Sequence, residues 1–141
     1  MTQPTQTLDR SLKIILGVDD SREMQKLLQA IICHAGYVYV GSSSGDSALA
    51  EIAARNPFDV ILLDVEMPGM DGFATCAQIR KHPNGKTVPV IFLTFHNTVT
   101  DFEKCKAAGG NDFMMKPFTG KTLIERLDRW SSQLIDVPVA S

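Results

Sequence analysis

Five short apolar runs punctuate the chain, and each gives way to polar or turn-forming residues. They are Lys13–Val18 (KIILGV), Tyr37–Val40, Val60–Leu63 running straight into Asp64, Val88–Thr94 (VPVIFLT) and Asp112–Met115. Each reads as a strand, and Val60–Leu63, wholly apolar and bounded by turn residues, as one covered on both faces. Between the runs the apolar positions recur at helical spacing. After Ser21 come Met24, Leu27, Leu28, Ile31, Ile32 and Ala35, stopped by Gly36. After Ser43 and Ser44 come Ala48, Leu49, Ile52 and Ala53, closed by Asn56-Pro57. Asp71 opens a third helix from about Gly72 to Lys81, with Phe73, Cys76, Ala77 and Arg80 on one side. Thr98, in a Thr-x-x-Asp capping box, opens a fourth that carries Val99, Phe102 and Cys105 inward and ends at Gly109-Gly110. Thr119 opens a fifth, with Leu123, Leu127, Trp130 and Leu134 inward. Ser, Thr and Asp are the residues that satisfy the free N–H groups of a first helical turn, and Gly suits a helix end.

Strand and helix thus alternate five times through short connections. That pattern predicts an α/β fold: a doubly wound five-stranded parallel sheet flanked by five helices. Right-handed crossovers then bring all five strand carboxyl ends to one edge of the sheet. With 141 residues, this is one domain, expected over residues 13–135, with a flexible N-terminal arm (1–12) and a short tail (136–141). Net charge is −2, and the 21% of charged residues form no basic run, so neither nucleic acid nor an anionic membrane is an expected partner. The first ten residues lack an apolar segment, and no apolar run approaches the ~20 residues that cross a bilayer, so the expectation is a soluble cytoplasmic protein. Cys33, Cys76 and Cys105 are odd in number and far apart, and read as buried free thiols.

The chemistry collects at the predicted edge. Asp19 and Asp20 follow the first strand, Asp64 the third, Thr94 the fourth and Lys116 the fifth; the second contributes nothing comparable. Carboxylates gathered so closely repel by about 4 kcal/mol per pair at 4 Å and an effective dielectric near 20, so they hold protons or bind a cation. A few hard oxygen ligands in an open cleft suit Mg²⁺, or Mn²⁺. With a lysine ammonium and a hydroxyl donor, such a site stabilises phosphoryl oxygens, and a carboxylate beside it can accept the phosphoryl group.

These residues carry a resemblance. The chain is similar to the receiver domain of two-component response regulators over about Lys13–Leu134. The likeness rests on Val18-Asp19-Asp20-Ser21, on Leu63-Asp64-Val65-Glu66-Met67-Pro68-Gly69-Met70-Asp71-Gly72, on Leu93-Thr94 and on Met115-Lys116-Pro117-Phe118. Intervals of 44, 30 and 22 residues separate Asp20, Asp64, Thr94 and Lys116, as in the family. The resemblance implies a flavodoxin-like strand order of 2-1-3-4-5. It implies Asp64 as phosphoacceptor, taking the group from a phosphohistidine of a sensor histidine kinase or histidine phosphotransfer protein. Asp20 and Asp64 would ligate Mg²⁺ directly, Asp19 through water, and Glu66 through its backbone carbonyl. Lys116 would pair with Asp64 or the phosphoryl oxygens, across a cis Lys116-Pro117 bond. Thr94 would bond the phosphoryl group, and Phe113 would turn with it as the switch that alters the surface of the fourth helix, fifth strand and fifth helix toward a downstream protein.

Some readings stay open. An aromatic such as Phe113 in a strand also serves as plain core, and Asp71 reads as a helix cap. The family usually has a small residue after the threonine; this chain has Phe95 and then His96, and a ring there could narrow the path of attacking water and alter the lifetime of the phosphorylated form. Two other functions compete. One is a receiver fold used as a constitutive binding module. The other is an aspartyl-phosphate phosphatase, disfavoured because Asp64-Val65-Glu66-Met67 places Glu where such enzymes need a second Asp. The expectation is a signalling module that catalyses only its own phosphorylation and dephosphorylation.

Overall fold

A computed structural model describes residues 9–54, 57–95 and 98–132 of the chain. Five parallel strands, β1 (Ile14–Val18), β2 (Val38–Ser42), β3 (Val60–Asp64), β4 (Val90–Thr94) and β5 (Asp112–Met115), lie in the order β2-β1-β3-β4-β5. Five helices alternate with them: α1 (Arg22–His34), α2 (Gly45–Ala54), α3 (Gly72–Lys81), α4 (Val99–Ala107) and α5 (Gly120–Ser131). The flavodoxin-like order is as expected. The second strand runs slightly later than its apolar run, and the fourth starts at Val90, because Val88 and Pro89 belong to the loop that approaches it.

Every residue of β3 and β4 is buried, as their uninterrupted apolar runs require. Alternate side chains feed two cores. Leu16, Val18, Ile61, Leu63 and Phe92 meet α2, α3 and α4 through Ala48, Ile52, Cys76, Ile79 and Cys105. Ile15, Val60, Leu62, Ile91, Leu93 and Met114 meet α1 and α5 through Leu28, Ile32, Leu123 and Leu127. Ser21, Asp71, Thr98 and Thr119 cap their helices as predicted, and Thr98 and Asp101 complete the capping box.

The helical faces are narrower than the spacing suggested. Leu27, Ala53, Ala77, Val99 and Phe102 are exposed, not inward. The apolar stripe of α1 contacts the sheet through Leu28 and Ile32, which leaves Leu27 on its flank. The nine-residue α4 buries Cys105 alone. Cys33 is likewise exposed, on the outer side of α1, while Cys76 and Cys105 are buried free thiols as expected. Leu134, assigned to the inner face of the fifth helix, lies outside the described residues, as does the 136–141 tail.

Asp9–Leu12, which sequence reading placed in a flexible arm, forms a capped 3-10 turn tied to the body. The Arg10 guanidinium makes a bidentate pair with Asp128 of α5 (3.0 and 2.7 Å) and donates to the Ala35 carbonyl. Tyr37 donates to the same carboxylate. At the far end of the sheet, Arg80 donates to the carbonyls of Gly85, Val88 and Gly109 and to Asn111 Oδ1, pinning two loops.

Candidate functional site

The crossovers place Asp19, Asp64, Thr94 and Lys116 at the carboxyl edge of the sheet, where the sequence expected them. All four are buried, whereas Asp20 is exposed at the rim. Asp64 is the last residue of β3, registered against Leu93, so Thr94 extends one position beyond it on the adjoining strand. Lys116 follows β5; its N–H donates to the Thr94 carbonyl at 2.7 Å, and its bond to Pro117 is cis, as expected.

The loop after β3 turns at Gly69, whose φ of +77° lies in the left-handed region that favours glycine. It returns so tightly that a Cβ on Gly72 would collide with the Asp64 carbonyl. Gly72 N–H donates to the Val65 carbonyl (2.8 Å), and Asp71 caps α3, which bears out its reading as a cap. A glycine is therefore required for α3 to start directly behind the acid.

Lys116 Nζ lies 3.0 Å from Asp64 Oδ1 and 3.2 Å from Asp19 Oδ2. Asp19 Oδ1 accepts from Ser21 N–H (2.8 Å), and Asp64 Oδ1 also accepts from Glu66 N–H at 3.4 Å. Burial pushes the Asp64 carboxyl above its ordinary range; Lys116 opposes this and Asp19 adds to it. Burial also works against the Lys116 ammonium, but its two carboxylate partners outweigh that and raise its pKa. Asp64 is thus an acid whose charge the fold only partly compensates.

One oxygen each from Asp19, Asp20 and Asp64 can be chosen so that all lie within 4.8 Å of one another. Hard anionic donors this close, one facing solvent, fit a divalent cation of the Mg²⁺ or Mn²⁺ kind, which keeps several waters and takes few protein ligands. The Glu66 side chain is exposed.

The matching family model is the response regulator receiver domain, over residues 15–128. The chain belongs to this family. It is 36% identical over 113 residues to YrkP of Bacillus subtilis strain 168, an uncharacterized transcriptional regulatory protein; the match covers 80% of this chain and 47% of YrkP, so the chain spans about half that relative's length. Among solved structures, the receiver resembles the chemotaxis protein CheY4 of Vibrio cholerae at 32% identity and a TM-score of 0.81, covering 84% of this chain and 98% of that one. It also resembles the receiver domain of the sensor histidine kinase PA1611 of Pseudomonas aeruginosa PAO1, a structure with a magnesium ion coordinated in its active site cleft. There the identity is 33%, the TM-score 0.80, and the coverage 86% and 98%.

Phe113 of this receiver is half-buried, neither sealed core nor free surface. Its ring packs against Phe102 of α4 with centroids 5.2 Å apart. Phe95 is 62% exposed, and the Lys116 ammonium lies 5.2 Å from its ring centroid. The ring therefore stands beside the mouth rather than under it. His96 lies outside the described residues. Sequence reading missed Gln25 and Tyr39, which bond beneath the acid loop (Tyr39 hydroxyl to Gln25 Oε1, 2.6 Å). Gly17 and Gly41, aligned across β1 and β2, were the available signal. No described helix is long and apolar enough to cross a membrane.

Proposed function

We propose that this receiver is a phosphorylation-responsive signalling module of a two-component or phosphorelay system, working in the cytoplasm. The observation that carries the reading is the buried Asp64, held 3.0 Å from Lys116 among two further carboxylates. An Asp64 oxygen attacks the phosphorus of a phosphohistidine on a sensor histidine kinase or histidine phosphotransfer protein. The new O–P bond forms as the N–P bond breaks, and the departing imidazole takes up a proton. Asp19, Asp20, Asp64 and the Glu66 carbonyl would hold Mg²⁺ or Mn²⁺, which supplies positive charge to the phosphoryl oxygens when bound.

Lys116 is well placed to move from a carboxylate pair to a phosphoryl oxygen, because its ammonium already bridges Asp19 and Asp64. The Thr94 hydroxyl, one residue beyond Leu93 at the same edge, would donate to another phosphoryl oxygen. Drawing Thr94 inward opens space for Phe113, and the surface of α4, β5 and α5 changes for a downstream protein. The module catalyses only its own phosphorylation and dephosphorylation.

The test is incubation with Mg²⁺ and a small phosphodonor such as acetyl phosphate, read by intact-mass spectrometry. Wild type gains one phosphoryl group and Asp64→Asn gains none. A wild type inert to this donor, to beryllofluoride and to a phosphorylated histidine kinase refutes the proposal and favours a constitutive binding module.

A further inference from the structure

Beneath the acid loop lies a polar network that the proposed chemistry does not use. Gly17 of β1 and Gly41 of β2 sit opposite each other in register. A Cβ on Gly17 would collide with the Tyr39 hydroxyl, and one on Gly41 with Gln25 Oε1. The paired glycines therefore clear a hollow on the α1 face of the sheet. Gln25, in the first turns of α1, fills it.

Gln25 Nε2 lies 3.1 Å from the Gly17 carbonyl, 3.1 Å from the Asp19 carbonyl and 2.9 Å from the Ser42 carbonyl. Carbonyls only accept, so the amide can face them in one orientation alone, nitrogen inward. Its oxygen then receives the Tyr39 hydroxyl at 2.6 Å. Asp19 is consequently held along its whole backbone: its N–H donates to the Ser42 carbonyl at 3.0 Å, and its own carbonyl accepts from Gln25. The side chain is held separately, by Ser21 N–H and Lys116. These bonds of Gln25 and Tyr39 reach the main chain that aims the acids rather than their carboxylate oxygens.

We infer that Gln25, oriented by Tyr39, is a positioning residue that fixes the β1–α1 acid loop and thereby sets the affinity of the carboxylate cluster for a divalent cation. This rests on the reading of Asp19, Asp20 and Asp64 as the cation site. Supporting groups behind metal ligands commonly govern affinity by 10–100-fold, because a carboxylate free to wander must be ordered at the moment of binding.

The test is calorimetric titration of Mg²⁺ into metal-free wild type, Gln25→Met, Tyr39→Phe and the double variant, with melting curves in parallel. Gln25→Met keeps the length of the side chain and removes every donor; the expected result is roughly tenfold weaker Mg²⁺ binding. Tyr39→Phe weakens binding less. The double variant is no worse than Gln25→Met, because tyrosine acts only through the amide. Ile52→Val, in the opposite core, lowers the melting temperature and leaves Mg²⁺ affinity intact, separating lost stability from lost positioning. Unchanged affinity in folded Gln25→Met overturns the inference. Should Gln25→Met not fold, Tyr39→Phe carries the test: unchanged affinity there overturns the inference, and weakened affinity supports it. A wild type that binds no Mg²⁺ refutes the cation-site reading itself, a distinguishable result.

Discussion

Replacing Asp64 by asparagine isolates the cost of the buried charge. At an effective dielectric near 20, the Lys116 ammonium 3.0 Å away attracts the carboxylate by about 5 kcal/mol. Asp19, within 4.8 Å, repels it by about 3.5 kcal/mol, and desolvation adds several kcal/mol more. Asparagine keeps the shape and the acceptor oxygen, and Lys116 keeps Asp19 at 3.2 Å, so no charge is orphaned. Because burial raises the Asp64 pKa, the folded state favours the uncharged form. The sign follows: below the ordinary value of 3.8 the two proteins are alike, and wild type loses ground as pH rises through the folded pKa of Asp64. At pH 7 without metal, Asp64→Asn is expected to be more stable by on the order of 1 kcal/mol, or about 3–5 °C in Tm. Mg²⁺ at 100 times its Kd then adds about 2.7 kcal/mol to wild type and little to the variant, which lacks a ligand. The two melting curves change order. Thermal denaturation in EDTA and in Mg²⁺ reads this directly. A variant melting well below wild type in EDTA would show that the Lys116 pair dominates and would sink the reasoning.

Arg80→Met removes the donors to three carbonyls and one amide oxygen; with partial rehydration of these mostly part-buried bonds, the expected loss is about 2–4 kcal/mol by urea denaturation. Phosphorylation of the folded fraction stays intact, and a loss below about 0.5 kcal/mol would contradict the pinning role. For Asp128, burial pushes the pKa up, but Arg10 and Tyr37 outweigh it and the net shift is downward. Its stabilisation relative to Asp128→Asn is thus full above the ordinary value of 3.8 and is lost as pH falls through the lower folded pKa, so the stability difference between the two proteins should be largest at pH 7 and shrink progressively on acidification below 3.8. Phe95→Ala opens the mouth beside Lys116 and is expected to speed loss of phosphate from the phosphorylated protein several-fold. Equal decay rates in a radiolabel chase would dismiss the ring's role.

The parallel sheet and the edge cluster were legible because each depends on local pattern, whereas the strand order followed from the family resemblance. The longest uninterrupted apolar runs, at β3 and β4, are buried on both faces, and right-handed crossovers send Asp64, Thr94 and Lys116 to the same edge. The helix faces were less legible, since spacing says which residues share a side and not how wide a neighbour covers it. Leu27 and Phe102 lie at helical spacing and are exposed because α1 and α4 meet the sheet along narrow strips. The bonds of Arg10, Gln25 and Arg80 were hidden for another reason. Their partners are backbone carbonyls or acids far along the chain, such as Asp128 for Arg10, and nothing in local sequence announces a carbonyl.

The charge count at the edge links stability to signalling. Among the described residues, Asp19, Asp20 and Asp64 set three carboxylates against the ammonium of Lys116, an excess of two negative charges when all are ionised. One divalent cation would neutralise them; a second lysine would leave one charge over and could not serve as a shared ligand for phosphoryl oxygens. The excess is tolerated because Asp20 faces water and because β3 and β4, buried throughout, hold the edge in place. The repulsion that costs the metal-free fold stability is the same repulsion that favours cation binding. A substitution that relaxes it, as Asp64→Asn does, therefore stabilises the fold and removes the drive to bind the cation together.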